Sequence, residues 1–327
     1  MSKNKISNGL PLALIERNRV ALAAHGLKDP LLFDSEESLF APQAMGSAPE
    51  AESAIVLLPK GKALIDMTLA FASKAVRKGG VVVLTGENDA GIRSANVAFE
   101  ANIGPVQEKM VGNHSALYVG MNEKLTAHKN LADFLAYEPI VYKNGTEEIA
   151  VDVAHFPGVF NTGKLDAGTR LLLSHIPYGK KRVIDVGCGA GVIGTIYKKL
   201  SPDSEVSMCD KSRLAVLATK ETLKKNGVEA DVFESDVLAG VTRGADGRTT
   251  QFDLIVSNPP FHTGIATDYA FIDRLSHEAK NFLAPSGELY VVANSFLPYE
   301  RTLEMNVGPT TVVKDDGKFK VIRTTLQ

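Results

Sequence analysis

Between Arg182 and Gly194 the chain reads RVIDVGCGAGVIG, and no other stretch narrows its possible folds as far. Val183, Ile184 and Val186 suit a strand buried on both faces of a parallel sheet. Gly187, Gly189 and Gly191 follow at alternate positions and make a loop without Cβ atoms, which another molecule can approach closely. Helical spacing then runs from Val192 to about Leu200, so the helix opens at the loop with its first N–H groups unpaired and facing it. Strand, glycine loop and helix in that order predict an α/β unit with a binding surface at the loop.

The spacing bears on the kind of ligand. GxGxG differs from the GxGxxG of the dinucleotide fingerprint, and the Lys and Ser/Thr of a phosphate-binding loop are missing. A carboxylate-bearing nucleoside such as S-adenosylmethionine therefore fits better than a pyrophosphate, although glycine triplets also serve tight βα turns for steric reasons alone. The next strand, Glu205–Asp210, ends in an acid near the place where doubly wound nucleotide sites set a carboxylate on ribose hydroxyls. Asp210 can instead cap the helix from about Ser212 to Asn226, but Ser212 is available for that role. The two features together favour a bound cofactor.

The sharpest chemistry lies in FDLIVSNPPF, which sets Asn258-Pro259-Pro260-Phe261 at the end of a later strand. An exocyclic amine on a base, like an amide, is a poor nucleophile because its lone pair is delocalised. An Asn oxygen and a backbone carbonyl fixed by two prolines can accept both N–H hydrogens and turn the lone pair toward an incoming methyl group. A sulfonium is a good leaving group, so positioning and dipoles can supply most of the catalysis. Phe261 adds a ring on which a planar substrate can stack. Without the two upstream strands the same residues would read as a rigid turn.

Other candidates are more ambiguous. Asp236, after the strand Ala230–Phe233, can reach an adenine amino group or cap a turn. His262 adjoins the site and can contact substrate. Arg243 and Arg248 lie in a glycine-containing loop suited to phosphate contact or to plain solvation. Phe160 lies in IAVDVAHFPGVFNTGKLDAGTRLLL, which reads equally as a loop laid over a pocket or as an interdomain linker, with Asp166 or Thr169 capping a helix over Arg170–Ile176.

A length of 327 residues and 44% hydrophobic content suffice for two domains, each with a core. Apolar runs such as Ala54–Pro59 fall far short of the roughly 20 residues of a membrane span. The first residues, MSKNKISNGLPLALIERNR, are interrupted by Asn, Gly, Pro and Glu and do not read as a signal peptide. The two cysteines, Cys188 and Cys209, have neither metal nor disulfide spacing, so a cytoplasmic protein without a metal is expected. The formal net charge is −2, with 15 Lys and Arg against 17 Asp and Glu up to residue 150 and 21 of each beyond it. A nucleic-acid partner must then be held by a local patch.

Element order repeats along the chain. From Ser53 a strand ending in Pro59, a helix over Leu64–Val76, a glycine pair with the strand VVVLTG, a helix from about Gly91 and the alternating VGNHSALYVG succeed one another. From Phe252 a strand, a helix over Thr267–Leu283, the strand SGELYVVAN and the alternating DGKFKVIRT do the same, which predicts an internal duplication. The first copy has no GxGxG and carries Leu57-Leu58-Pro59-Lys60-Gly61 where the second has Ser257-Asn258-Pro259-Pro260-Phe261, so it is expected to bind no cofactor. Domains of 1–148 and 149–327 follow. Lys60, Lys62, Lys74, Arg77 and Lys78 lie on or beside one predicted helix of the first, with Lys74 and Arg77 on one face.

Residues 53–327 resemble the bacterial small-subunit ribosomal RNA guanine-N2 methyltransferases of the RsmC type. The resemblance rests on FPGVFNTGKLDAGTRLLL, VIDVGCGAGVIG, SNPPFHTG and ELYVVANSFLPY, with GENDAGIRSA in the first half. It implies two tandem class I, Rossmann-like methyltransferase domains of α/β fold, the N-terminal one degenerate. It also implies methyl transfer from S-adenosylmethionine to the N2 amine of a guanine in 16S ribosomal RNA, with that RNA or the small ribosomal subunit as partner. By the family's pattern Asp185, Gly187, Cys188, Gly189, Gly191, Asp210 and Lys211 hold the cofactor, Asp236 and Val237 sit by its adenine, and Asn258 touches the cofactor as well as holding the amine with Pro259, Pro260 and Phe261, while Phe160, Phe261 and His262 face the substrate. Two other readings are an N5-glutamine methyltransferase acting on a protein and a non-catalytic ribosome-binding protein. Phe after NPP and the duplication argue against the first, and the intact motifs against the second.

Overall fold

In the computed structural model, residues 9–48, 50–123, 129–145, 147–160, 163–241, 250–259 and 265–326 are described. The chain forms two compact units, Met1–Leu135 and Ala136–Gln327.

The first unit holds α1 (Gly9–Arg17), α2 (Arg19–Ala24), β1 (Leu31–Phe33), β2 (Ala51–Leu57), α3 (Lys62–Ala75), β3 (Val76–Glu87), α4 (Asn96–Asn102), β4 (Glu108–Gly112) and β5 (Ser115–Met121). Its sheet runs β1-β2-β3-β5-β4, parallel from β1 to β3 and antiparallel thereafter. Leu14, Ile15 and Leu22 of the first two helices pack on Ile55, Leu57, Val81, Val83, Leu117 and Val119 of the sheet. The two helices part at Asn18, whose side-chain amide and backbone N–H both bond the Leu14 carbonyl. VGNHSALYVG is a hairpin turning on Asn113 and His114, both at positive φ, the geometry of a type I′ turn.

The second unit opens with a hairpin of β6 (Ala136–Asn144) and β7 (Glu147–His155), so the expected boundary at 148 falls within β7. Its inward residues alternate along β7, which the turn residues downstream obscure in the sequence. It packs on its own unit: the Ala154 N–H donates to Thr222 Oγ1, and Asn226 bonds both ways with the Asp152 backbone. The first part of the stretch read as loop or linker is therefore a strand.

After it come α5 (Ala167–Leu173), β8 (Arg182–Val186), α6 (Val192–Leu200), β9 (Glu205–Asp210), α7 (Arg213–Asn226), β10 (Asp231–Glu234), β11 (Phe252–Ser257), α8 (Ile265–Phe282), β12 (Leu283–Asn294), α9 (Tyr299–Asn306), β13 (Thr310–Asp315) and β14 (Phe319–Thr325). The seven-stranded sheet has the order β10-β9-β8-β11-β12-β14-β13, with only β14 antiparallel to its neighbours. From β8 the chain winds outward through β9 and β10, then returns to β11 on the other side. The sheet therefore reverses between β8 and β11, and in open α/β sheets a crevice forms beyond the strand ends at that point. No described helix is long and apolar enough to cross a membrane.

Candidate active site

The loop after β8 and the end of β11 meet at this crevice. Gly187, Gly189 and Gly191 all have positive φ, at 74°, 57° and 78°, so the loop needs glycine for its backbone as well as for access. Added Cβ atoms at Gly187 and Gly189 would meet at most the tip of Phe271, at 3.8 Å, which leaves the loop's outer surface bare. Underneath, the Gly187 and Cys188 N–H groups both donate to the Cys209 carbonyl, and Thr219 Oγ1 donates to the Gly189 carbonyl. A Cβ at Gly191 would lie 2.8 Å from Thr219 Cγ2, so this glycine is also fixed by packing.

Asp185, next to last in β8, lies inside the core with no exposed surface. Its Oδ2 accepts the Gly194 N–H at 3.2 Å, while Oδ1 is buried with no partner among the described residues. Burial, more than the nearby Asp210, pushes its carboxyl up to about 7. Gly194, which the sequence reading left aside, makes this possible: a Cβ there would stand 2.3 Å from Met208 Sδ, so only glycine lets α6 lie this close to β9.

Asp210 at the end of β9 reaches back to the glycine loop. Its Oδ2 accepts the Gly189 N–H at 2.9 Å and its Oδ1 the Ser212 N–H at 2.8 Å. Each oxygen retains lone-pair capacity for a hydroxyl. Burial raises its pKa and the backbone N–H bonds oppose the rise. Ser212 is the N-cap of α7, accepting from the Ala215 N–H. Burial also raises both thiols, so neither Cys188 nor Cys209 is a thiolate nucleophile at neutral pH.

Beyond β10, Asp236 is ion-paired with Arg274 of α8, and Lys211 Nζ stands 3.8 Å from the same Oδ2. Arg274 also bonds Glu278, whose other oxygen accepts the Leu238 N–H, tying this loop to α8. The sequence reading missed Arg274, which is distant in the chain and has no motif of its own. Val237 takes φ 58°, a left-handed conformation strained for a β-branched residue.

Asn258 completes the crevice. Its Nδ2 donates to Thr169 Oγ1 at 2.8 Å and to Asp166 Oδ2 at 3.3 Å, and its Oδ1 is buried with no partner among the described residues. Asp166 is the N-cap of α5, where the same Oδ2 accepts the Thr169 N–H at 2.9 Å. The sequence reading gave these two residues only a capping role. Pro259 is buried, and Phe160 stands on the loop between β7 and α5 with 51% of its surface exposed. Pro260, Phe261 and His262, together with Arg243 and Arg248, lie outside the described residues. Among the described residues no group of three or more His, Cys, Asp and Glu side chains could hold a metal ion.

The cradle suits a small cationic nucleoside. Asp185 presents a buried carboxylate oxygen in need of a donor, Asp210 a carboxylate fit for paired hydroxyls, and Asn258 a carboxamide oxygen for an N–H.

The family model described as Methyltransferase small domain matches residues 150–323, and that described as Methyltransferase small domain N-terminal matches residues 8–137. Three chains named ribosomal RNA small subunit methyltransferase C are similar over most of their length. That of Aliivibrio salmonicida is 34% identical over 274 residues, spanning 83% of this chain and 77% of its own. That of Aeromonas hydrophila is 34% identical over 299 residues, 90% and 81% of the two chains. That of Citrobacter koseri is 36% identical over 281 residues, 85% and 76%. Among solved structures, the T. thermophilus 16S rRNA N2 G1207 methyltransferase (RsmC) in complex with AdoMet and guanosine matches with a TM-score of 0.72 at 25% identity, over 90% of this chain and 81% of its own.

Proposed function

Because the chain belongs to the ribosomal RNA small subunit methyltransferase C family, we propose that it methylates the exocyclic N2 amine of a guanine in 16S ribosomal RNA, in the cytoplasm and on the small ribosomal subunit. The observation that supports this reading is the Asn258 carboxamide oxygen, buried and without a partner among the described residues, beside the glycine loop at the sheet's reversal. A buried acceptor without a donor costs roughly 1–3 kcal/mol, a cost recovered when an N–H arrives.

Bound S-adenosylmethionine would supply a methyl group on a sulfonium sulfur that departs as a neutral thioether. Asp210 would hold its ribose hydroxyls, the orphaned oxygen of Asp185 would face its ammonium group, and the Gly187–Gly191 loop would admit it. Asn258 would accept one hydrogen of the guanine amine, and a carbonyl of the Pro259–Pro260 segment the other, so that the nitrogen lone pair faces the methyl carbon. As the C–N bond forms, positive charge grows on that nitrogen and these two oxygens stabilise it. Its surplus proton then leaves to water. Phe160, Phe261 and His262 would line the base. The first unit would bind the ribosomal substrate, since the catalytic pocket takes a single extruded base.

The test is tritium transfer from the cofactor to small subunits, naked 16S RNA and release factors, followed by nucleoside analysis. N2-methylguanosine in 16S RNA is expected. Label in a release-factor glutamine, or no transfer to any of the three, refutes the reading.

A further inference from the structure

The carboxamide of Asn258 is held from one side. Among the described residues its Nδ2 bonds run to α5 and its cap, at 2.8 Å to Thr169 Oγ1 and 3.3 Å to Asp166 Oδ2. Turning the carboxamide over would set its oxygen against a carboxylate, so the charge of Asp166 decides which end of Asn258 meets the crevice. The same Asp166 oxygen accepts the Thr169 N–H at 2.9 Å, which places the hydroxyl and the carboxylate as one preformed acceptor pair.

We propose that Asp166 and Thr169 are positioning residues for the methyl transfer. They lock the Asn258 oxygen toward the amine, and the Asp166 carboxylate polarises the carboxamide. A carboxylate drawing on the N–H end leaves more negative charge on Oδ1, at the moment the amine nitrogen becomes positive. The role rests on the guanine-N2 reading only for the identity of the amine; any N–H nucleophile held by Asn258 gains in the same way. No covalent step passes through Asp166 or Thr169.

A helix cap is the competing role for Asp166, and the two roles separate cleanly because asparagine caps helices as well as aspartate does. In the full-length protein Asp166→Asn should lower kcat about tenfold or more, a fraction of the loss typical for a direct transition-state contact. KM for small subunits, cofactor affinity and the thermal midpoint should stay near wild type. Thr169→Val should lower kcat likewise, and Thr169→Ser should restore part of that loss. In an Asn258→Ala background Asp166→Asn should have no further effect, because Asp166 acts through Asn258. The Asn258 side-chain amide proton resonances, identified by their absence in Asn258→Ala, should move upfield in Asp166→Asn as the charge is removed.

An Asp166→Asn enzyme with wild-type kcat, or one whose kcat loss persists undiminished in the Asn258→Ala background, overturns the proposal. So does a kcat loss matched by equal losses of cofactor affinity and thermal stability. If wild-type product analysis finds a methylated amine other than guanine N2, the functional reading fails, and the same kcat ratio measured on that amine still decides the role of Asp166.

Discussion

The two units share one strand scheme and differ where it opens. β1, β2, β3, β5 and β4 of the first correspond in order and direction to β8, β11, β12, β14 and β13 of the second. The registers coincide: Phe33 stands opposite Val56 as Asp185 stands opposite Val256, and Leu57 opposite Thr85 as Ser257 opposite Val291. Buried Asp185 thus matches buried Phe33, and Asn258 matches Leu58. Gly86 receives Leu58, since a Cβ there would lie 2.6 Å from Leu58 Cβ. The strands that carry Asp210 and lead to Asp236, β9 and β10, have no counterpart among the described residues of the first unit's sheet. One unit fills its strand ends with apolar side chains, and the other keeps two buried polar atoms unpaired there. Unsatisfied polar atoms are a stability cost, and among the described residues these two belong to the copy that carries the glycine loop.

By that contrast Asp185 destabilises the ligand-free second unit and Phe33 does not destabilise the first. Its carboxyl, at about 7 in the folded chain, ionises near 4 in the unfolded one. Between those values unfolding releases a proton, so stability falls as pH rises from about 4 to about 7 and is flat above, a loss on the order of 4 kcal/mol. Asp185→Asn should remove this slope. Denaturant melts of both proteins at acid and at mildly alkaline pH check it; parallel profiles would mean that Asp185 is already ionised with a partner.

Giving the second unit the first unit's residue tests the other position. Asn258→Leu should leave cofactor affinity within a few fold and lower single-turnover methyl transfer about 100- to 1000-fold, roughly 3–4 kcal/mol of transition-state stabilisation. Turnover near wild type at saturating substrate would show that the Leu58–Asn258 difference is not the functional one.

Asp210→Ala asks whether the missing strands matter for the reason given. Losing charge-assisted bonds to two hydroxyls should weaken cofactor binding by about 1.5–3 kcal/mol, read by calorimetric titration, and alter the chemical step less. An unchanged affinity in a folded variant would remove Asp210 from the site.

What could be read in advance follows from range. The strand–glycine–helix succession is local, and α6 lies where its spacing put it, at Val192–Leu200. The β6–β7 hairpin escaped because its inward face becomes visible only against α7, which follows 60 or so residues later. Asn258 stands out by its neighbours in sequence, whereas its partners Asp166 and Thr169 are set beside it only by the fold, from 92 and 89 residues away. Arg274 against Asp236 is the same case at 38 residues. The sequence also pointed to Lys74 and Arg77 as one helical face, and here the structure differs. α3 stops at Ala75, Arg77 belongs to β3 and bonds Glu52 at 2.6 Å, and Lys74 Nζ donates to Asn130.

That correction sharpens the last contrast, the first unit as a binder of ribosomal substrate without a cofactor site. Lys60 and Lys62 are exposed where β2 gives way to α3, while the charge of Arg77 already faces Glu52. An exposed pair of this kind contributes little to stability, so its loss should not confuse a binding measurement. Each cation that touches a phosphate releases counterions when it binds and adds roughly 0.7–0.9 to the slope of log affinity against log salt. Lys60→Gln with Lys62→Gln should therefore lower that slope for small subunits by about one to two, with cofactor affinity unchanged. Arg77→Gln should lower it by less, because the arginine is spent on Glu52. Equal slopes for the lysine variant and the wild type would place the ribosomal contact elsewhere, and a larger loss from Arg77→Gln would mean that the Glu52 pair opens on binding.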